Sequence, residues 1–236
     1  MPTAHDPTHL IDDLDRELAA TGDPDRAVQE KRYLKSDLHF HGHTLPALRR
    51  RAQAMRATKP YTDTAGLRAL VDVAWARPSH DLHLLSVLLL ELDRKLLGPD
   101  DLPWLQGLVS TSFTWAYVDS LAAWSLGDVV RRHPETRAVL RQWAQHDDVW
   151  VRRAAVLAEL VELRQGRGDF AHFETLVAPL LSEKSFWIRK AIGWVLRDVS
   201  KLQPELVRGF VVRHGTQMAP LTLREATRKL TDVEGG

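Results

Sequence analysis

The chain predicts an all-α fold, and within that class a curved α-solenoid of HEAT-like helical repeats. Three features carry this reading. Prolines punctuate the sequence at helix-length intervals, from Pro7, Pro24, Pro46, Pro60 and Pro78 through Pro99, Pro103 and Pro134 to Pro179, Pro204 and Pro220. Between them apolar residues recur with helical spacing, and neither a sustained period of two nor an Asn-Gly or Asp-Gly hairpin turn appears. Finally, segments of helix-pair length resemble one another along the chain.

Taken in order, the first helices begin at Asp6-Pro7 and Asp23-Pro24, where an acid at the cap precedes a proline at the first helical position. Leu10, Ile11, Leu14 and Leu18 give the first of them one apolar face. Further on, HDLHLLSVLLLEL (80 to 92) matches 148 to 160 at an offset of 68, which corresponds to two units of 34. DDVWVRRAAVLAELVEL (147 to 163) aligns with KSFWIRKAIGWVLRDVS (184 to 200) at an offset of 37, placing Trp150 over Trp187, Arg152 over Arg189 and Arg153 over Lys190. A helix pair of this length cannot bury its apolar face alone, so neighbouring pairs stack and leave a concave surface. The expected organisation is one HEAT-like domain over 1 to 236, with a short C-terminal tail at about 232 to 236.

Bulk composition limits the function. With 236 residues, 44% of them hydrophobic, the chain can bury a sizeable core. It contains no cysteine, which excludes disulfides, thiolate metal sites and a cysteine nucleophile and fits a reducing compartment. Residues 1 to 30 carry eight acids against Arg16 and Arg26, unlike a secretory or transit signal. The most apolar stretch, around Leu82 to Leu97, is broken by Glu91, Asp93, Arg94 and Lys95, so no membrane span is expected and the cytoplasm is the expected location. The overall formal charge of +1 hides a basic segment: residues 31 to 60 hold Lys31, Arg32, Lys35, Arg49, Arg50, Arg51, Arg56 and Lys59 against Asp37. Such a segment is either a solvated face balanced by an acidic neighbour or a patch facing a polyanion.

The candidate chemistry lies in two strings. In FTWAYVDSLA, Asp119 follows Trp115 by one helical turn, and a third aromatic, Trp194, stands in FWIRKAIGWVLRD. The repeat register makes Asp119, Arg153 and Lys190 equivalent, so they are expected to line one face. Trp150 and Trp187, which recur as equivalents, are expected to pack within their repeats. Trp115 and Trp194 do not recur, and with Asp119 they suggest a carboxylate in an aromatic cleft.

At these residues the sequence resembles the AlkD-like DNA alkylation repair glycosylases, a bacterial family of HEAT-like repeat proteins. The resemblance covers nearly the whole chain. It runs through KRYLKSDLHFHGHTLPALRR (31 to 50), TWAYVDSLA, WVRRAAVLAEL, FWIRKAIGWVLRDVSK and APLTLREATRKL. Carried over by position, it implies a catalytic cleft of Trp115, Asp119 and Trp194, a DNA-backbone contact at Arg153 and a place near the lesion strand for Tyr33. Lys35, Arg49, Arg189 and Lys190 complete the expected DNA-binding set. Two departures stand out: Thr114-Trp115 replaces a frequent tryptophan pair, and the loop after Phe40 is richer in histidine.

The implied activity is hydrolysis of the N-glycosidic bond of cationic alkylated purines in double-stranded DNA: 3-methyladenine, 7-methylguanine and bulky N3 or N7 adducts. A cationic base leaves neutral and deposits positive charge on the deoxyribose. A fixed carboxylate can stabilise that charge and orient water, while tryptophan faces favour a nearby cation. The resemblance further implies that the lesion is not flipped into a pocket. A monomer working on DNA at the nucleoid, with no metal, no nucleotide and no other cofactor, is the expected assembly.

Two other readings remain open. SDLHFHGH (36 to 43) resembles the Asp-x-His-x-His start of metal-dependent hydrolases, in which alternate histidines share a metal only on an extended segment. A HEAT-like array can also serve as a noncatalytic scaffold for DNA or protein. No P-loop, strand-borne GxGxxG or helix-hairpin-helix signature is present.

Overall fold

Helix starts in the computed structural model, which describes residues 6–58 and 60–230, fall where the capping residues put them. Lys59 and the expected tail at about 232 to 236 lie outside the described residues. The chain divides into two units, 1–97 and 98–236.

The first unit holds α1 (Pro7–Thr21), α2 (Pro24–Leu34), α3 (Leu45–Ala57), α4 (Thr64–Trp75) and α5 (His80–Leu92). Asp6 accepts a hydrogen bond from the Thr8 N–H and Asp23 from that of Arg26, each ahead of a proline at the first helical position. Ile11, Leu14 and Leu18 form the buried face of α1. Helix α5 is apolar on nearly every side and is buried along most of its length, as its run of leucines requires.

The second unit contains α6 (Leu102–Ser110), α7 (Trp115–Ser120), α8 (Gly127–Arg132), α9 (Arg137–Trp143), α10 (Val149–Leu157), α11 (Leu160–Arg164), α12 (Phe170–Val177), α13 (Phe186–Val199), α14 (Pro204–His214) and α15 (Pro220–Thr227). Among the described residues no strand forms, and the single isolated bridge pairs His39 with Ser79 in the first unit. The fold is therefore the expected all-α one, built of HEAT-like helical repeats. Helix α7 packs on α10, α10 on α13, and α13 on α15. Val151, Ala154 and Ala155 of α10 and Ile188, Ala191 and Ile192 of α13 are fully buried between neighbours.

Between α7 and α8 the helix widens into a π-type segment at Leu121–Leu126, which the sequence pattern does not announce. Gly127 follows it, and a Cβ there would stand 2.6 Å from the Ala158 carbonyl oxygen. Glycine at this point lets α8 approach the neighbouring backbone.

Trp150 and Trp187 add to one expectation. Their rings lie 5.1 Å apart and tilted, so these repeat-equivalent residues also pack against each other from one repeat to the next. Equivalent positions on stacked helices become neighbours, and a large ring at each fills the groove between them.

Candidate active site

Asp119 rides on α7, which Thr114 starts by accepting a hydrogen bond from the Ala116 N–H at 3.3 Å. Trp115 is the first residue of that helix and lies half-buried, one turn before Asp119. The carboxylate meets the Arg153 guanidinium of α10 edge to edge. Arg153 Nε donates to Oδ1 at 2.7 Å and Nη2 to Oδ2 at 2.8 Å. Arg153 Nη1 donates in turn to the Trp187 carbonyl at 2.6 Å, at the start of α13. The same guanidinium carbon stands 5.8 Å from the Trp187 ring centroid. One arginine thus ties three successive second helices at the level of the carboxylate.

Burial sets the electrostatics. Arg153 is 5% exposed, and the Asp119 side chain is 17% exposed. Removal from water is the larger influence on Asp119 and pushes its pKa above the ordinary carboxylate value, while Arg153 pulls it down. The paired oxygens are held in one orientation, and their remaining lone pairs point away from the guanidinium.

Lys190, the third member of the register, does not join that pair. It donates to Glu225 Oε1 of α15 at 2.8 Å, and Arg197 also pairs with Glu225. These two cations hold the Glu225 carboxyl below its usual range, Lys190 being the stronger influence. Close packing here depends on Gly193, where a Cβ would come within 2.6 Å of the Glu225 Cβ. Trp194, half-buried on α13, donates its indole N–H to Asp198 Oδ2 at 3.1 Å, and Lys201 pairs with the same buried carboxylate. The spacing Trp-x-x-x-Asp occurs four times along the chain, at Trp115/Asp119, Trp124/Asp128, Trp143/Asp147 and Trp194/Asp198. Spacing alone therefore does not single out the Trp194/Asp198 hydrogen bond, which GWVLRD shares in form with three other strings.

The expected DNA-binding residues divide by environment. Tyr33 is 72% exposed, and Lys35 is exposed at the left-handed cap of α2. Arg49 pairs with Glu91, Arg51 with Glu17 and Arg56 with Asp93, so much of the basic segment is balanced by acids of its own unit. Arg32, Lys35 and Arg50 are exposed and carry no ion pair among the described residues. Arg189 donates to the Glu183 carbonyl at 2.7 Å. Arg153 differs most from expectation: its guanidinium is turned into the repeat stack instead of outward. A buried carboxylate one repeat earlier needs a countercharge, and Arg153 supplies it.

Of the histidines of 36 to 43, His39 and His41 meet edge to face with ring centroids 4.7 Å apart, but each of His41 and His43 has a partner on α1. His39 is exposed, His41 Nε2 lies 2.9 Å from Asp15 of α1, and His43 Nε2 lies 3.0 Å from the Leu18 carbonyl. The His41 and His43 backbone N–H groups both donate to the buried Asp81, at 2.9 and 3.1 Å. This loop is a tie between α1 and α5. Among the described residues no three His, Asp or Glu side chains gather as metal ligands, and no helix is long and apolar enough to cross a membrane.

Known proteins share this framework. Residues 14–230 match the family model for DNA alkylation repair enzymes, a span that runs through both units. A predicted DNA alkylation repair enzyme from Enterococcus faecalis is similar in structure, with a TM-score of 0.78 and 19% identity, over 90% of this chain and 98% of that one. AlkD2 from Streptococcus mutans follows at 0.61 and 19%, over 79% and 90% of the two chains. The Pseudomonas fluorescens alkylpurine DNA glycosylase AlkC, bound to DNA containing an abasic site analogue, superposes at 0.52 and 18%, over 97% of this chain and 63% of that one. A search of curated protein sequences finds no match. With most of its length matched, the chain belongs to the family of DNA alkylation repair enzymes.

Proposed function

We propose that the protein is a monofunctional DNA glycosylase that hydrolyses the N-glycosidic bond of cationic alkylated purines in duplex DNA. Membership of the alkylation repair family supports the repair role. The observation that carries the reaction type is Asp119, a single carboxylate fixed by Arg153 one helical turn from the half-exposed Trp115.

Such a carboxylate suits a reaction whose transition state puts positive charge on the sugar. Because Arg153 has already fixed its direction, little reorganisation accompanies bond breaking. The cationic base departs neutral, so no general acid has to protonate it. Water held by Asp119 then adds to the anomeric carbon and leaves an abasic site. In this reading Trp115 and Trp194 present their faces to the sugar, with the Trp194 ring angle set by Asp198. Tyr33, Lys35, Arg49, Arg189 and Lys190 contact the DNA, while Arg153 acts by holding Asp119. The P. fluorescens AlkC complex with DNA containing an abasic site analogue lends support to DNA as the partner. The enzyme acts as a monomer in the cytoplasm, and simple methylpurines and bulky N3 or N7 adducts are both within its substrate class.

The test is incubation with duplex DNA containing 7-methylguanine. Release of free 7-methylguanine and appearance of alkali-labile sites are expected, with no strand break before alkali. Strand cleavage without alkali would overturn the monofunctional assignment, and an absence of released base would overturn the glycosylase itself.

A further inference from the structure

Phe113 is the least protein-covered aromatic ring of the second unit and one of its most constrained residues. Its side chain is 78% exposed, and its backbone sits in the left-handed region at φ 52°. Elsewhere that region is occupied by Lys35 at φ 50°, at the cap of α2, and by two glycines, Gly42 at φ 88° and Gly166 at φ 74°. A residue with a Cβ is strained there, and a phenylalanine in water gains nothing from burial to offset the strain. The turn between α6 and α7 needs only a residue that tolerates positive φ. Glycine would serve the fold better, so the ring answers to something other than the fold.

The turn also fixes the backbone that carries the ring. On one side the buried Ser112 donates its Oγ hydrogen to the Leu108 carbonyl at 2.8 Å and its N–H to the Val109 carbonyl at 3.2 Å. On the other, the buried Thr114 caps α7. Both flanks point inward and are hydrogen-bonded, which leaves Phe113 as the outward residue between them. It stands two positions before Trp115 and six before Asp119, on the connection that starts the helix carrying both. A ligand at Asp119 is thus expected to meet a neutral, flat aromatic face at the entrance of that helix.

We infer that Phe113 is a stacking platform for the unpaired nucleobase that faces the abasic gap once the damaged purine has left. The inference rests on the glycosylase reading above. Removal of the lesion base leaves its partner without a pair and with room beside it. An uncharged ring has no use for phosphates but offers such a base the π-contact it has lost. Fixing the backbone at Phe113 before DNA arrives lowers part of the ordering cost of that contact, which gives the strained turn a purpose.

The experiment uses the full chain and a duplex carrying a tetrahydrofuran abasic analogue opposite 2-aminopurine, alongside the same duplex without a gap. Wild-type protein is expected to quench 2-aminopurine fluorescence on binding. Phe113→Ala should lose the quenching and on the order of tenfold in affinity for the gapped duplex, the usual scale of one base–aromatic stack, while Phe113→Tyr retains both. Phe113→Gly separates stacking from folding. It should bind the gapped duplex as poorly as the alanine variant and yet melt at the same or a higher temperature, because glycine relieves the positive φ. Unchanged quenching and affinity in Phe113→Ala, with DNA binding otherwise tight, would overturn this inference and leave the glycosylase reading standing. A fall in melting temperature for Phe113→Gly would assign the ring to the fold and overturn it too. A wild-type protein that binds neither duplex would remove both.

Discussion

Asp119 and Arg153, 34 positions apart, form a two-point ion pair at 2.7 and 2.8 Å between consecutive repeats. The pair makes one residue both a structural tie and the orienting partner of the candidate catalytic carboxylate. Removing either member leaves a charge in a place from which water is largely excluded. Stability and chemistry are thereby coupled at this point, and variants must separate the two.

Asp119→Asn keeps the side-chain shape and removes its charge. Single-turnover release of 7-methylguanine is expected to fall roughly 100-fold or more, since the lost interaction exists mainly in the transition state. The melting temperature should fall as well, because Arg153 keeps its charge in a buried position without a partner, a defect of about 3–5 kcal/mol in comparable buried pairs. Adding Arg153→Met should restore much of the melting temperature and leave excision low. Excision returning with the fold would show that Asp119 matters only for stability.

The pH dependence follows from burial. Excision needs the Asp119 carboxylate ionised, and burial raises its pKa, so the acid limb of the single-turnover rate should lie above the ordinary carboxylate range. Arg153 opposes that rise, and Arg153→Met should move the limb further up. The sign for stability is the reverse of that for rate. A carboxyl whose folded pKa is raised favours the folded state below its unfolded pKa, and that contribution is lost as pH rises through the folded value. A wild-type limb at or below the ordinary range, or one that moves down in Arg153→Met, would contradict this account.

The helix starts and the repeat register were readable from sequence because they depend on local chemistry. Asp6-Pro7 and Asp23-Pro24 cap α1 and α2 as their spacing requires, and the offset of 34 that aligns Asp119 with Arg153 is the offset at which their side chains meet. Depth was not readable. Spacing tells which residues share a face but not how far that face is covered by the next repeat, and Arg153, for which the family resemblance implies a phosphate contact, is buried. Partner choice was hidden for the same reason. Lys190 has the same register as Arg153, yet its countercharge is Glu225 on a helix whose approach is set by Gly193. The contact of Trp150 with Trp187 was hidden because equivalence along the chain becomes adjacency only when the repeats stack.

Salt dependence can sort the cations. Lys35 is exposed without an ion pair among the described residues, so Lys35→Ala should reduce the slope of log affinity against log salt by about 1 and weaken binding to damaged and undamaged duplexes alike. Arg153→Met should leave the slope unchanged and lower the melting temperature, because its guanidinium is engaged by Asp119 and the Trp187 carbonyl. Equilibrium titrations at several salt concentrations measure the slope directly. A slope reduced by Arg153→Met would return that residue to the phosphate contacts.

Lesion charge tests the mechanism most directly. A purine alkylated at N3 or N7 carries its positive charge into the ground state and leaves as a neutral molecule, whereas hypoxanthine and ethenoadenine are neutral and need a proton to leave well. The Asp119 site offers a carboxylate fixed by an arginine, and an arginine does not donate a proton to a departing base under these conditions. Release should therefore be rapid for 7-methylguanine and 3-methyladenine and negligible for the two neutral lesions in the same sequence context. Trp194→Ala should slow the cationic substrates by removing an aromatic face from the developing sugar cation, without creating activity on the neutral ones. Asp198→Ala should act in the same direction but more weakly, because it frees the Trp194 ring without deleting it. Efficient release of hypoxanthine by the wild-type protein would require a general acid, and the carboxylate mechanism would then have to be abandoned.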